Sequence, residues 1–487
     1  MNMFKIFANC LLILLAFCSC EKFLNVRTNN SDSINPRTVD DFEEILNNAQ
    51  LAGRNYFLAD LVTDDVYLTD GIVDKGGASS FYVNAYLWND EVWGSAEDDY
   101  MYNETYKSIL QVNIVVDNIM TALDGSFENK ARIQAQAKIH RAYYYSQLVG
   151  IYGLDYHNIS ANSDLAVPLI LHPDANGVFP RSTVQQVYDQ ILVDLNDAIN
   201  TQSLPDFGVD VLHPGKAVAY GLLARVYLIM GDFQKALFNA EEALKIRDTL
   251  LDYRIFSFVN GSNASNGIQG KLITLEEQKN NPEVLLAKVV LDSDFYNKFN
   301  ENLQISADLL GLYDPEDLRL VYNFEYNATN STAKYPFHTQ RYVQYTPFNY
   351  SIGVPEVMLI KAECLARSGE GADAVETVNK LRKFRFKPSD YADLEVGEDA
   401  LAIVLDERRR ELTLKGGLRL FDLKRLNREG KYVKTIERQG PATIEEILAG
   451  SPPIKVIKSL PPLSPRYLIP FSPKLIASNS LIIQNER

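Results

Sequence analysis

The chain reads as mainly α: a scaffold of tetratricopeptide-type helical hairpins with loop-rich excursions between them. Three observations predict it. In residues 215–246, GKAVAYGLLARVYLIMGDFQKALFNAEEALKI, the small and aromatic residues Ala224, Tyr227, Gly231, Ala236, Ala240 and Ala243 fall at the spacing of a helical hairpin. A second copy from 354, VPEVMLIKAECLARSGEGADAVETVNKLRKFR, sets Ala362, Leu365, Gly369, Ala374 and Leu381 at the same offsets. Residues 99–120 and 129–151 carry apolar side chains at helical spacing. In each hairpin the small residues let two antiparallel helices touch, Tyr227 fills the gap, and Gly231 with Asp232 makes the turn. One hairpin cannot bury its own apolar face, so neighbours must stack. The copies are far apart in sequence, so the stretches between them are excursions, natural places for a binding site.

The chain opens with Lys5 and an apolar run, Ile6 to Phe17, broken only by Asn9 and ended by Glu21 and Lys22. That is the length of a signal-peptide core and too short to span a bilayer. Residues 1–19 are therefore expected to be an export signal. The four cysteines are Cys10, Cys18, Cys20 and Cys364. Cleavage before Cys20 leaves two, too few for a disulfide framework or a zinc site. Ser19 supplies the small residue that a lipoprotein peptidase requires; Phe17 and Cys18 fit less well. The thiol of Cys20 would then carry a diacylglycerol thioether, and two or more acyl chains give stable anchoring. The competing reading is ordinary cleavage after Ala16 and a soluble secreted protein. Cys364, in an apolar helical run, reads as a plain buried thiol.

Residues 20–37 read as a lipid-proximal tether and 20–487 as one domain. Thr38 or Asp40 caps a first helix with Phe42, Ile45 and Leu46 on one face. Residues 68–84 contain glycines and serines and read as a loop within an excursion over 60–98. The helix of 129–151 and one capped by Ser182 or Thr183 form a third hairpin near 129–199, split by an insertion with Pro168, Pro173 and Pro180. The second excursion, 257–350, holds the flexible FVNGSNASNGIQG, a candidate strand in NPEVLLAKVVL, and a stretch rich in tyrosine and asparagine. LDERRRELTLKGGLRLFDLKRLN reads as helix, Gly-Gly break, helix; its interleaved Glu407, Arg409, Arg410 and Glu411 suit a structural ion-pair helix rather than an anion site. The last 40 residues are proline-rich without a clear helix.

Together these segments resemble the SusD/RagB family of Bacteroidetes outer-membrane lipoproteins. The resemblance rests on SCEKFLNV, PRTVDDFEEILNNA, YNETYKSILQVNIVVDNI, AKIHRAYYYSQLVGIYG followed by VPLI, RSTVQQVYDQILVDLNDA, LLARVYLIMGDFQKAL, PEVMLIKAECLARSG, DERRREL with RLFDLKR, and the terminal SLIIQNER. It implies an α-helical superhelix and a surface lipoprotein of the cell outer membrane that captures oligosaccharide for a SusC-like TonB-dependent receptor. Two departures stand out. Tyr102 occupies a position where the family commonly has tryptophan, and Lys415, Gly416 and Gly417 stand where it commonly has glutamate-glycine, which leaves the local loop geometry open.

The formal net charge is −15 and the pI about 5.0. Such a chain is a poor nucleic-acid binder. It also has no basic skirt for anionic headgroups, so membrane residence must come from lipid. None of its five histidines forms an HExxH pair, and neither a GxSxG elbow nor a phosphate-binding glycine loop occurs; no catalytic set, cofactor or metal is expected. For ligand binding the best lead is FYVNAYLWNDEVW: Phe81, Tyr82, Tyr86, Trp88 and Trp93, whose faces can stack on sugars or peptides. Large aromatics usually bury, which favours core for Trp88; Phe81 and Tyr82 divide evenly. Asp70, Asp74 and Asn84 can hydrogen-bond hydroxyls, and Asn327, Asn330 and Arg341 form a second candidate loop, with a solvated loop the plainer alternative for both. Beside glycan capture stand a peptide-binding RagB-like receptor, a tetratricopeptide envelope scaffold without a small ligand, and a lipid-anchored hydrolase.

Overall fold

The small residues of both repeats lie where helix meets helix: Ala224, Ala236, Ala240, Ala243, Ala362 and Ala374 are fully buried. The computed structural model describes residues 36–68, 80–261, 267–272, 274–290, 303–326, 340–342, 349–397, 399–440 and 455–487. The expected signal, Cys20, Asp70, Asp74, Asn327 and Asn330 lie outside them. Thr38–Arg487 forms one compact unit.

The described elements begin with α1 (Val39–Leu46), α2 (Phe57–Leu61), β1 (Val66–Leu68) and α3 (Ser80–Tyr86). The scaffold helices follow: α4 (Tyr100–Asn118), α5 (Phe127–Tyr152), α6 (Val184–Asn200), α7 (Lys216–Met230) and α8 (Phe233–Ile246). After the second excursion, which supplies β2 (Leu303–Ile305), β3 (Phe324–Tyr326) and β4 (Gln340–Tyr342), come α9 (Val354–Ser368), α10 (Gly371–Arg382), α11 (Ala400–Glu411) and α12 (Leu418–Glu429). A hairpin of β5 (Ile436–Gly440) and β6 (Lys455–Leu460) and a short α13 (Pro473–Ser478) close the chain.

From α4 to α11 each scaffold helix packs on the next, and α8 packs directly on α9 although a hundred residues intervene. The three expected hairpins therefore stack as a continuous run, which is how each covers its apolar face. Local chemistry sets the ends. Thr183 and Gln186 form a reciprocal capping box at α6. α7 and α9 end on Gly231 at φ +82 and Gly369 at φ +91, where an added Cβ would meet nothing, so the left-handed backbone alone demands glycine. Tyr227 is only half-buried and packs under the Lys235 ammonium, at the hairpin rim rather than in its gap.

Three expectations change. Residues 80–86 form a helix where a loop was expected. NPEVLLAKVVL is not a strand; Val284 and Val289 make only isolated bridges to Gly353, Asn349 and Gly53, because prior turns interrupt the run. The proline-rich end contains a strand and a short helix, Pro473 taking the first-turn place that costs no hydrogen bond. Cys364 is buried, its thiol pushed up to about 12 by burial.

Buried ion pairs tie the helices together. Arg225 of α7 grips Glu356 of α9 at 2.7 and 2.6 Å, and Arg141 of α5 grips Asp194 of α6 at 2.8 and 2.7 Å. Both members of the first pair are about 2% exposed or less. Arg225→Met should therefore cost about 3–5 kcal/mol in denaturant unfolding by stranding a buried carboxylate, and adding Glu356→Met should recover most of it; a single variant as stable as the parent would show the pair to be energetically idle.

Buried Lys288 and Lys424, like Lys271, lack a carboxylate partner among the described residues. Lys288 donates to the Leu51 carbonyl at 2.6 Å and the Tyr144 hydroxyl at 3.0 Å, beside His140 and with Arg54 over the same Tyr144 ring. Lys424 donates only to the carbonyls of Gly150 and Gly153. Burial lowers both from 10.5 to about 8. Below about pH 8 folded and unfolded chains both hold these protons and the fold bears the full cost. Above it the native state releases them first, so stability should rise with pH, by about 2 kcal/mol per lysine at about pH 9.5. Beyond pH 10 tyrosines such as Tyr56, pushed up to about 12 by burial, reverse the trend. Lys288→Met should remove its share of the slope in unfolding measurements across that range; an unchanged slope would exclude it as the source.

Candidate ligand face

Both sequence excursions converge on one antiparallel sheet, in the order β1-β2-β4-β3. Val66 lies opposite Ile305 and Leu68 opposite Leu303; Gln304 lies opposite Arg341, which in turn faces Glu325. The register thus sets Arg341 on an inner strand, with Gln304 opposite on one side and Glu325 on the other. β1 and β2 are buried throughout, so three-residue strands are held by packing rather than by length.

The aromatic segment divides into inward and half-open rings. Trp88 is 2% exposed and its indole N–H donates to the Val62 carbonyl at 3.0 Å. Trp93 is 7% exposed and donates to the Pro470 carbonyl at 2.7 Å. Tyr86 is also buried, with the Arg438 guanidinium 4.0 Å over its ring and 4.2 Å over that of Trp88. These three rings are core, not an open platform: both indole N–H groups find carbonyl partners inside, and Arg438 covers the Tyr86 ring. Phe81 and Tyr82 remain half-buried; Phe81 stacks on Trp93 at 5.1 Å and 28°. Asn84 spends its amide locally, donating to Val92 and accepting from Asn89.

One turn from Tyr82, Tyr86 reaches a polar pocket of about 160 Å³ that motif reading missed. Asp64, Tyr67, Ser306, Asp308, Lys434 and Glu437 line it. Burial opposes ionisation of Asp64, but Arg419 at 2.8 Å, Arg409 and Lys434 outweigh it and hold the carboxyl well below its ordinary range. Lys434 also pairs with Asp308 at 2.7 Å. These charges are matched within the wall, which leaves a hydrogen-bonding surface suited to a neutral polar ligand. Its parts come from residues hundreds apart, so no local signal marked them. Among the described residues no group of three or more His, Cys, Asp or Glu is placed to hold a metal, and no described helix is long and apolar enough to cross a membrane.

Two family models match the chain: one described as "Starch-binding associating with outer membrane" over residues 22–228, and "SusD family" over residues 323–487. A SusD-like protein P2 from Formosa agariphila is 28% identical over 373 residues, 66% of this chain and 70% of that protein. A SusD superfamily protein of Bacteroides thetaiotaomicron superposes with a TM-score of 0.69 at 23% identity, covering 92% of this chain and all of the other. A putative sugar binding protein of Bacteroides vulgatus gives 0.70 at 20% identity, covering 93% and 99%. The two matched segments, the homologue and the shared architecture agree: this chain belongs to the SusD family.

Proposed function

We propose that the protein captures neutral oligosaccharides at the face where α3, the four-stranded sheet and the polar pocket meet, and delivers them to a SusC-like TonB-dependent outer-membrane receptor without turning them over. The observation that carries this reading is the meeting of both excursions in one sheet beside two half-open rings and a charge-matched pocket. Stacking of Phe81 or Tyr82 on a sugar face supplies apolar contact. Arg341 and the pocket wall supply hydrogen bonds, and Asp70 and Asn327 are further candidates. Residues 1–19 act as the export signal, and a lipid on Cys20 holds the protein outside the cell, with 20–37 as its tether.

A glycan array followed by calorimetry tests the capture. Tyr82→Ala and Arg341→Ala should each weaken the best glycan, Tyr82→Ala by roughly tenfold, the worth of about 1.4 kcal/mol of stacking. Trp93→Ala, in contrast, should lower unfolding stability by about 3–5 kcal/mol, as removal of a buried aromatic does. Unchanged affinity in both surface variants, or binding to peptides instead of glycans, would sink the assignment. Anchoring has its own readout: Cys20→Ala should move the protein from the membrane fraction to the soluble one, and mass spectrometry of the parent should find an acylated amino terminus.

A further inference from the structure

The proline-rich insertion between α5 and α6 forms an arch braced by hydrogen bonds from α4, α5 and the residue after α13. The Tyr106 hydroxyl donates to Pro168 at 2.6 Å, Asn113 to Ile170 at 2.9 Å and Arg141 to Leu171 at 3.1 Å. Asp174 closes the tip by accepting the N–H groups of Asn176 and Gly177 at 3.0 and 2.7 Å. From the opposite side Asn479, just past α13, donates to the Phe179 carbonyl at 2.9 Å. Between the arch, α13 and the first turns of α4 lies a cleft of about 580 Å³, within the range of small-ligand sites.

Its lining has a particular chemistry. Tyr100 is 70% exposed although it is an aromatic residue at a helix start, and the rings of Tyr102 and Tyr106 meet at 4.5 Å and a 40° tilt in the floor. Asn103, one turn along the same face, makes no side-chain hydrogen bond among the described residues. At the rim Glu104 pairs with Lys107 and Asp98 with Lys474, the His172 ring bonds Asp117, and Asp174 is engaged by the two N–H groups of the tip. Lys107, the lining lysine, is already paired, so an anion finds no unpaired ammonium there among the described residues, whereas a polyol finds a ring to stack on and a free amide to bond.

We infer that this cleft is a second oligosaccharide subsite, taking a short neutral glycan against Tyr100 with Asn103 bonding its hydroxyls. The inference rests on the capture function proposed above and adds a site that shares no lining residue with α3. Because the walls are already bonded together, little ordering is left for the ligand to impose.

Calorimetry with maltohexaose, cellohexaose, xylohexaose and mannohexaose on the full chain tests it. Tyr100→Ala combined with Asn103→Ala should cost one binding event or weaken affinity at least threefold for the hexaose that binds, Tyr100→Phe should retain it, and Tyr82→Ala should leave the cleft event in place. Tyr100 is exposed enough that the change should not unfold the chain, which circular dichroism checks. A Tyr100→Ala/Asn103→Ala protein that binds like the parent, while Tyr82→Ala loses binding, overturns the cleft and leaves the principal site standing. Absence of binding by the parent to all four sugars and to the array overturns both.

Discussion

The charged residues of α11 are the pin on which the rest of the molecule turns. Arg319, from the second excursion, reaches Asp317, Glu407 and Glu411 at 2.7, 2.7 and 2.8 Å, all of them buried. Glu411 also takes Arg385, which binds Glu283 at 2.9 Å, while Arg408 takes Asp422 of α12 and Arg409 takes Asp65 beside β1. Burial works against the ionised Glu407, yet Arg319, Arg410 and Arg382 hold it well below the ordinary carboxylate range. Such pairs are weak sources of net stability, but once formed each member leaves a stranded charge if its neighbour goes. One helix thus specifies where the superhelix, the sheet and the α12 segment sit relative to one another.

The Gly-Gly break after α11 extends that control to the ligand face. Gly416 and Gly417 have φ +68 and +86, and a Cβ on either would lie 2.9 Å from Tyr350 or Ala59. Only glycine meets both demands. Their amides point at one carboxylate, Asp60 of α2, at 3.1 and 2.8 Å. Burial lifts Asp60 to about 7 against the pull of those two donors. The turn that departs from the family pattern at Lys415–Gly417 is therefore a clamp on α2, the helix that leads into β1.

Much of this was legible because it is local. The alanine and glycine spacing of 215–246 and 354–385 states a helix pair and its turn within thirty residues, and the capping residues at 183–186 do the same for α6. The ERRREL helix was recognisable as structural, though besides Arg410 and Glu407, which pair along the helix, its ions pair outward with distant elements. The sheet was not legible, since strands of three residues are too short to display alternation. Nor were the roles of the tryptophans: composition marks Trp88 and Trp93 as valuable aromatics, but only the fold shows that Val62 and Pro470 take their N–H groups. Asp64 and Lys434 became a pocket wall only through contacts across most of the chain.

Arg438 has a consequence of a different kind. Sandwiched on Tyr86 and Trp88, its guanidinium donates to the carbonyls of Tyr86 at 2.9 Å and Leu61 at 2.7 Å. Main-chain oxygens are the one feature that every residue type offers alike. The root of the β5–β6 hairpin is thereby docked through groups that ignore side-chain identity, and Gly440 still faces Lys455 at its outer end. Side chains at positions 61 and 86 can therefore change without removing either acceptor, as a fixed chuck grips any shank of the same bore.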